Sequence, residues 1–337
     1  MSVSRAPFIS VIIATFGRHD LLRRCVRSVI ANDYEDYEIL VIDQEEGGPL
    51  KAALASEDPG GKIRYLQLPR SGLSRARNFG VQESGGDILA FIDDDAVACP
   101  GWLTAIADAF SLGLEPSPAL LAGRIRPLWP DGGAPEWYPE PRRFLLGLYD
   151  LGDEIREMPE HDQPVGANMA GLREVIVSAG GFEERLGVNV YGAAPMIAGE
   201  DTLLSMRVRK AGGSIYYHPG MMVHHQISRN KLARSTFLRR NFWEGVTIIR
   251  ENHLLDGRGF RFGATVRWHL REMAFAAARF VLPGYRRDYA LPNAAVRMLA
   301  LSRIWYSAGV IRELTRLRLA PPEPSAAAPK ESLLDRS

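Results

Sequence analysis

The strongest constraint on this chain lies in its first hundred residues, where two hydrophobic periods alternate. Residues 8–15 (FISVIIAT) form an unbroken β-branched run, the pattern of a strand covered on both faces. After Phe16-Gly17-Arg18, residues 20–32 place Leu21, Leu22, Cys25, Val26, Val29 and Ile30 at helical spacing. Residues 37–42 (YEILVI) repeat the strand pattern up to Asp43, 50–56 suit a short helix, and 63–68 a third strand. Residues 74–84 read as helix and 87–92 (DILAFI) as a fourth strand, stopped by Asp93-Asp94-Asp95. Strands alternating with helices predict an α/β fold with a mostly parallel, doubly wound central sheet flanked by helices. Ligands of such sheets sit beyond the carboxyl ends of the strands. That rule gathers residues 15–18, Asp43-Gln44, the loop 69–78 and residues 93–95 at one edge.

The remainder is less regular. Residues 113–163 read as loop-rich, with many prolines and with Trp129, Trp137, Tyr138 and Tyr149. Such rings suit either a sugar-stacking surface or an insertion with a small core of its own. A helix is expected over 201–211, closed by Gly212-Gly213, then short strands at 215–217 and 221–224. Residues 231–319 read as a helical extension broken at Pro283-Gly284 and Pro292, and 320–337, rich in Pro, Ala and Ser, as a disordered tail.

Composition excludes some partners. The formal net charge is +1, so no global field draws nucleic acid, and none is expected. The two cysteines, Cys25 and Cys99, sit in no metal-ligand spacing, which argues against zinc and against a disulfide framework and for a reduced, cytoplasmic compartment. No secretion signal is read at the N-terminus, and no uninterrupted apolar run is long enough to span a bilayer.

Several residues carry chemistry. Three adjacent carboxylates repel one another, so Asp93-Asp94-Asp95 is poorly explained by stability. In isolation the triplet suits a solvated turn; at the mouth of a parallel sheet it suits a hard divalent cation held through oxygen. Glu200-Asp201 opens a helix, where carboxylates serve equally as caps or as a general base. Gly199 and the stretch 192–198 would leave room for an acceptor. His224-His225 ends a strand and offers an imidazole to a metal, or simply one ring inward and one outward. Arg75, Arg77 and the run Arg229, Lys231, Arg234, Arg239 and Arg240 could meet phosphates or face solvent. No G-x-G-x-x-G spacing is present.

Taken together, SVIIATFGR (10–18), EILVID (38–43), GLSRARNFG (72–80), GDILAFIDDD (86–95), VGANMAGLREVIVSAGGFEERLG (165–187), GEDTLLSMRVRKAG (199–212) and YYHPGMMVHH (216–225) resemble the family 2 glycosyltransferases, inverting enzymes of GT-A fold. The resemblance spans residues 8–250 and implies a nucleotide-sugar domain over 1–230, with a nucleotide-binding half (1–112) and an acceptor half (113–230), followed by the helical extension 231–319. It implies that Asp95 and Asp93 hold Mg²⁺ or Mn²⁺ with His225, that Asp94 belongs to the same motif, and that Asp93 also lies near the ribose. Asp201 would be the base and Glu200 would position the acceptor, while Thr15, Arg18, Asp43 and Arg77 would surround the donor. Many members carry an acidic residue where this chain has Gln44, whose carbonyl can still accept from a base N–H. UDP, dTDP and GDP sugars are therefore all admitted as donors, with a glycan or lipid-linked acceptor of bacterial polysaccharide or glycolipid assembly. A metal-dependent nucleotidyltransferase would call for a glycine-rich basic loop that ATFGRHD (14–20) does not supply. A binding module without turnover would have lost the base or the metal ligands. The basic amphipathic stretch 260–282 is expected either to touch the inner face of the plasma membrane or to pack on protein.

Overall fold

A computed structural model describes residues 6–48, 50–58, 60–187, 196–256, 261–281 and 291–319. The expected break at Pro283-Gly284, the tail 320–337 and most of the stretch 192–198 lie outside the described residues. Two compact units are present. The first comprises Met1–Leu128, Gly147–Gly187 and Glu200–Gln226; the second comprises Trp129–Leu146, Val188–Gly199 and Ile227–Ser337.

The first unit opens as the two periods require. Strands β1 (Ile9–Thr15), β2 (Tyr37–Asp43), β3 (Ile63–Gln67) and β4 (Ile88–Ile92) alternate with helices α1 (His19–Ile30), α2 (Lys51–Ser56) and α3 (Leu73–Glu83). The four strands are mutually parallel in the order β3-β2-β1-β4. Alternate residues of each strand serve opposite faces. Ile9, Val11 and Ile13 pack with Leu22, Val26 and Val29 of α1, whereas Ile12 packs with Ala76 and Val81 of α3. Burial on both sides explains why β1, β2 and β4 read as apolar runs, whereas the edge strand β3 is only half-buried.

Beyond β4 the sheet becomes mixed. It continues through β8 (Asn168–Leu172), β6 (Pro118–Leu128), β9 (Ser214–Gln226) and β5 (Ala96–Ala98), with β7 (Arg156–Glu157) also on β9. Strand β8 is antiparallel to β4 and β6, β9 is parallel to β6, and β5 is antiparallel to β9. Helices α4 (Trp102–Ser111), α5 (Arg173–Ser178) and α6 (Glu200–Lys210) cover this half.

Two local expectations fail here. The loop-rich stretch 113–163 contains the eleven-residue β6, disguised by Arg124, Arg126 and terminal prolines. Arg124 is tolerated in the buried part because its Nε donates to Tyr217 Oη at 3.0 Å and its guanidinium meets Asp153 at 2.6 Å. The two short strands at 215–217 and 221–224 are one strand, β9, whose pairing jumps from His218 to Met222 opposite Gly123 and Arg124. Pro219 and Gly220 bulge out instead of ending it, and His218 Nδ1 accepts from Gly220 N at 3.1 Å. The side-chain amide of Asn168 closes the gap. Its Nδ2 donates to Arg124 O and Met221 O, and its Oδ1 accepts from Trp102 Nε1.

The second unit is helical, with α7 (Arg234–Asp256), α8 (Phe262–Val281) and α9 (Asn293–Leu319). Helix α9 begins directly after Pro292, as expected of a residue that cannot continue a preceding helix. Trp137 and Tyr138 pack edge-on against Phe237 of α7, so these two rings belong to a local core. Arg229, Lys231, Arg234, Arg239 and Arg240 all belong to this unit, Arg234 lying over the Trp137 ring at 5.6 Å.

Candidate active site

The site assembles at the carboxyl edge of β1 and β4 from residues that recur throughout the sequence reading. Thr15 Oγ1 donates to Asp94 Oδ2 at 2.8 Å, and Arg18 Nη1 reaches Asp94 Oδ1 at 2.9 Å and Asp95 Oδ2 at 3.1 Å. Burial pushes the Asp94 carboxyl up to about 6 against the opposing pull of Arg18. Both oxygens of Asp94 are thus engaged by protein, while Asp95 shares Arg18 with it. The short strand β5 explains why a distant histidine joins them. Ala96 pairs with His225, Gln226 N donates to Asp95 O at 2.8 Å, and His225 Nε2 lies 3.0 Å from Asp95 Oδ1. Asp93, Asp95 and His225 each offer a ligand atom within 4.8 Å of the others. Two carboxylates and one imidazole in that compass fit a divalent cation of the Mg²⁺ or Mn²⁺ type, which takes further oxygen ligands besides these three.

A second pair of carboxylates stands at the start of α6, and Arg77 ties it to the first. The Arg77 guanidinium is buried, with Nη1 on Glu200 Oε1 at 2.8 Å and Nη2 on Asp93 Oδ1 at 2.9 Å. Burial raises the Glu200 carboxyl to about 7, with the neighbouring Asp201 charge adding to the effect and Arg77 opposing it. Its Oε2 is buried without a hydrogen-bond partner among the described residues. Asp201 is held differently. Its Oδ2 accepts from Gly166 N at 2.7 Å and its Oδ1 from Thr202 N at 2.8 Å. Two backbone donors, one in the first turn of α6 and one just before β8, fix the carboxylate while each oxygen keeps a lone pair for a further donor.

Glu200 makes stability depend on pH in a definite sense. Its folded value near 7 lies above the ordinary 4.5, so between them the folded chain keeps a proton that the unfolded chain has lost. Its contribution is therefore most favourable below that window and is lost as pH rises through about 7. In chelator-treated protein, the melting temperature of Glu200→Gln is expected to fall less than the parent's between about pH 6 and about pH 8. Equal falls would show that Glu200 does not titrate in that range.

Gly166 stands in VGANMAGLREVIVSAGGFEERLG (165–187), where local pattern assigns it no role. A Cβ there would lie 2.6 Å from Arg77 Nη1 and 2.9 Å from its Cζ. Only a hydrogen fits between the Asp201-binding amide and the bridging guanidinium. The sequence signal was present, a glycine beside the buried strand β8, without anything to say which side chain would press on it.

At the carboxyl end of β2, Asp43 Oδ2 accepts from Tyr65 Oη at 2.5 Å and its Oδ1 from Glu45 N at 2.9 Å. Tyr65, on β3, was not anticipated. Gln44 Oε1 accepts from Ser71 N at 3.0 Å and Gly72 N at 2.9 Å, so this carbonyl pins the loop before α3. Two backbone amides meet the two lone pairs of the oxygen through which this side chain would accept from a base N–H.

Residues 10–113 match the family model described as glycosyl transferase family 2. Over that span the chain carries a glycosyl transferase family 2 domain. The chain is 25% identical over 242 residues to the glucosyl-dolichyl phosphate glucuronosyltransferase of Haloferax volcanii, covering 70% of this chain and 75% of that one. It is 27% identical over 257 residues to the succinoglycan biosynthesis protein ExoM of Rhizobium meliloti, covering 76% of this chain and 75% of the relative. Among solved structures, the mannosyltransferase PcManGT from Pyrobaculum calidifontis, in complex with GDP-Man and Mn²⁺, aligns over 92% of this chain and 88% of its own with a TM-score of 0.59 and 17% identity. At that identity the likeness establishes a shared GT-A fold.

Proposed function

We propose that this glycosyltransferase is an inverting, metal-dependent enzyme that moves a sugar from a nucleoside-diphosphate donor to the hydroxyl of a glycan or lipid-linked acceptor. The supporting observation is Arg77, which joins the Asp93-Asp95-His225 cluster to the Glu200-Asp201 pair through one buried guanidinium. A cation site and a candidate base are thereby held at one distance and orientation.

In this reading Asp201 takes the proton from the acceptor hydroxyl, whose oxygen forms a bond to the anomeric carbon from the face opposite the nucleotide. The bond from that carbon to the diphosphate oxygen breaks, and the nucleoside diphosphate leaves with the electron pair. Mg²⁺ or Mn²⁺ held by Asp93, Asp95 and His225 would supply positive charge where the leaving diphosphate becomes more negative. Glu200 and Arg77 position these groups, while Thr15, Arg18 and Asp94 brace the metal-binding edge. Asp43 and Tyr65 flank the nucleoside. UDP, dTDP and GDP sugars all suit such a pocket, and the lipid phosphate in the name of the Haloferax relative favours a lipid-linked acceptor. With both cysteines free, we place the enzyme in the cytoplasm.

Thermal unfolding in the presence of UDP, dTDP, GDP and their sugars, each with and without Mn²⁺, tests the proposal. One nucleotide is expected to raise the melting temperature only when metal is present, and Asp95→Asn is expected to abolish that metal-dependent part. A nucleotide-induced rise equal in chelator, or unchanged in Asp95→Asn, would overturn the metal assignment.

A further inference from the structure

Half of the ten large apolar side chains exposed among the described residues lie on one helix, α8: Trp268, Leu270, Phe275, Phe280 and Val281. Two of them, Trp268 and Phe275, share one face of the helix. His269 and Ala276 are its buried positions, and α8 packs against α9 on that side. Trp268 and Phe275, 55% and 63% exposed, are seven residues apart, with exposed Arg271 between them and exposed Arg267 one position before Trp268. Spacings of three, four and seven residues place Trp268, Arg271 and Phe275 on a single stripe. The lone acidic residue of α8, Glu272, is turned to α9, where Arg303 Nη1 meets it at 2.5 Å. Arg267 and Arg271 have no ion-pair partner among the described residues. The exposed stripe is therefore aromatic and cationic, with no carboxylate on it.

We propose that this face of α8 docks on the surface of an anionic lipid bilayer. Charge decides between the two occupants that an apolar helix face admits. A second copy of the chain, meeting this stripe across a two-fold axis, would bring Arg267 and Arg271 against the same arginines with no acidic group to pair them. Anionic headgroups supply the missing negative charge, and the acyl boundary receives the rings of Trp268 and Phe275. The arginine stems lie along the apolar layer while their heads reach phosphate. The helix lies on the surface and does not cross it, since no helix among the described residues is long and apolar enough to span a membrane.

Flotation of the full chain with vesicles tests this without donor or acceptor, so its outcome is separate from that of the transfer reaction. Binding is expected to phosphatidylcholine vesicles containing about 30% phosphatidylglycerol, and not to phosphatidylcholine alone. Arg267→Glu with Arg271→Glu is expected to lower partitioning by at least about twentyfold, and Trp268→Ser with Phe275→Ser by at least about tenfold. Because the replaced side chains are exposed, both variants are expected to keep the parent's melting temperature, which is measured alongside. Equal binding to neutral vesicles, no binding at all, or retention of binding in both folded variants would overturn the proposal. So would a concentration-dependent dimer in sedimentation equilibrium that Phe275→Ser dissociates while vesicles bind nothing.

Discussion

Asp201→Asn is expected to lower the rate of sugar transfer by about 10² to 10⁴ while leaving donor affinity within about twofold. The substitution keeps the size of the side chain and one oxygen for the backbone donors Gly166 N and Thr202 N. It removes the capacity to take a proton. One of those two amides would then face an NH₂ group, a mismatch worth about 1 to 2 kcal/mol of stability, too small to unfold an ordinary domain. The predicted signature is thus a large loss in kcat, a small loss in melting temperature and an unchanged metal-dependent response to nucleotide. Glu200→Gln provides the contrast, since its carboxylate is turned toward Arg77 and is proposed to position and not to accept the proton. Turnover of Asp201→Asn within tenfold of the parent would remove Asp201 as the base and transfer the question to Glu200.

Gly309→Ala is expected to destabilise the helical unit by at least about 3 kcal/mol, although helix propensity alone predicts a gain of about 1 kcal/mol. A Cβ at this position would fall 1.9 Å from Phe242 O and 2.9 Å from its carbonyl carbon. The contact is reciprocal, because a Cβ on Gly245 would fall 2.1 Å from Tyr306 O. These clashes are with backbone, which cannot rotate away as a side chain can. Relief requires α7 and α9 to separate and loosen the cluster of Ile249, Val310 and Leu314 below the crossing. The packing penalty therefore outweighs the propensity gain, and Gly245→Ala is expected to act in the same direction. Thermal or denaturant unfolding decides the matter: an alanine variant at either position that melts at or above the parent would show that the helices do not cross so closely.

The parts of the fold that were legible in the sequence are those governed by local period. The runs at β1, β2 and β4 and the helical spacing of α1 and α3 each report burial through neighbours a few residues away, so their order and the parallel half of the sheet follow directly. Strand β6 was lost because its charged residue is satisfied by Tyr217 and Asp153, partners that no window around Arg124 contains. Strand β9 was split because Pro219-Gly220 signals a turn, and only pairing with β6 on both sides of the bulge shows that the strand continues.

The site divides along the same line. Local pattern places Asp93-Asp94-Asp95 at a strand end and Glu200-Asp201 at a helix start, and the family resemblance attaches His225 and Arg77 to them as expectations. How the three carboxylates divide was decided by tertiary structure, since Thr15 and Arg18 engage both oxygens of Asp94, while Asp95, which Arg18 also reaches, gathers with Asp93 and His225. So were the burial of Arg77 between Asp93 and Glu200, the amide of Gly166 under Asp201, and the contact of Gln44 with the loop at Ser71-Gly72. The physical reason is range. Hydrophobic period is set by neighbours along the chain, and it specifies which face of each element is covered. The hydrogen bond from His225 to Asp95 spans 130 positions, and that from Arg77 to Glu200 spans 123. Contacts at that separation exist only once strand register and helix packing have brought the chain back on itself.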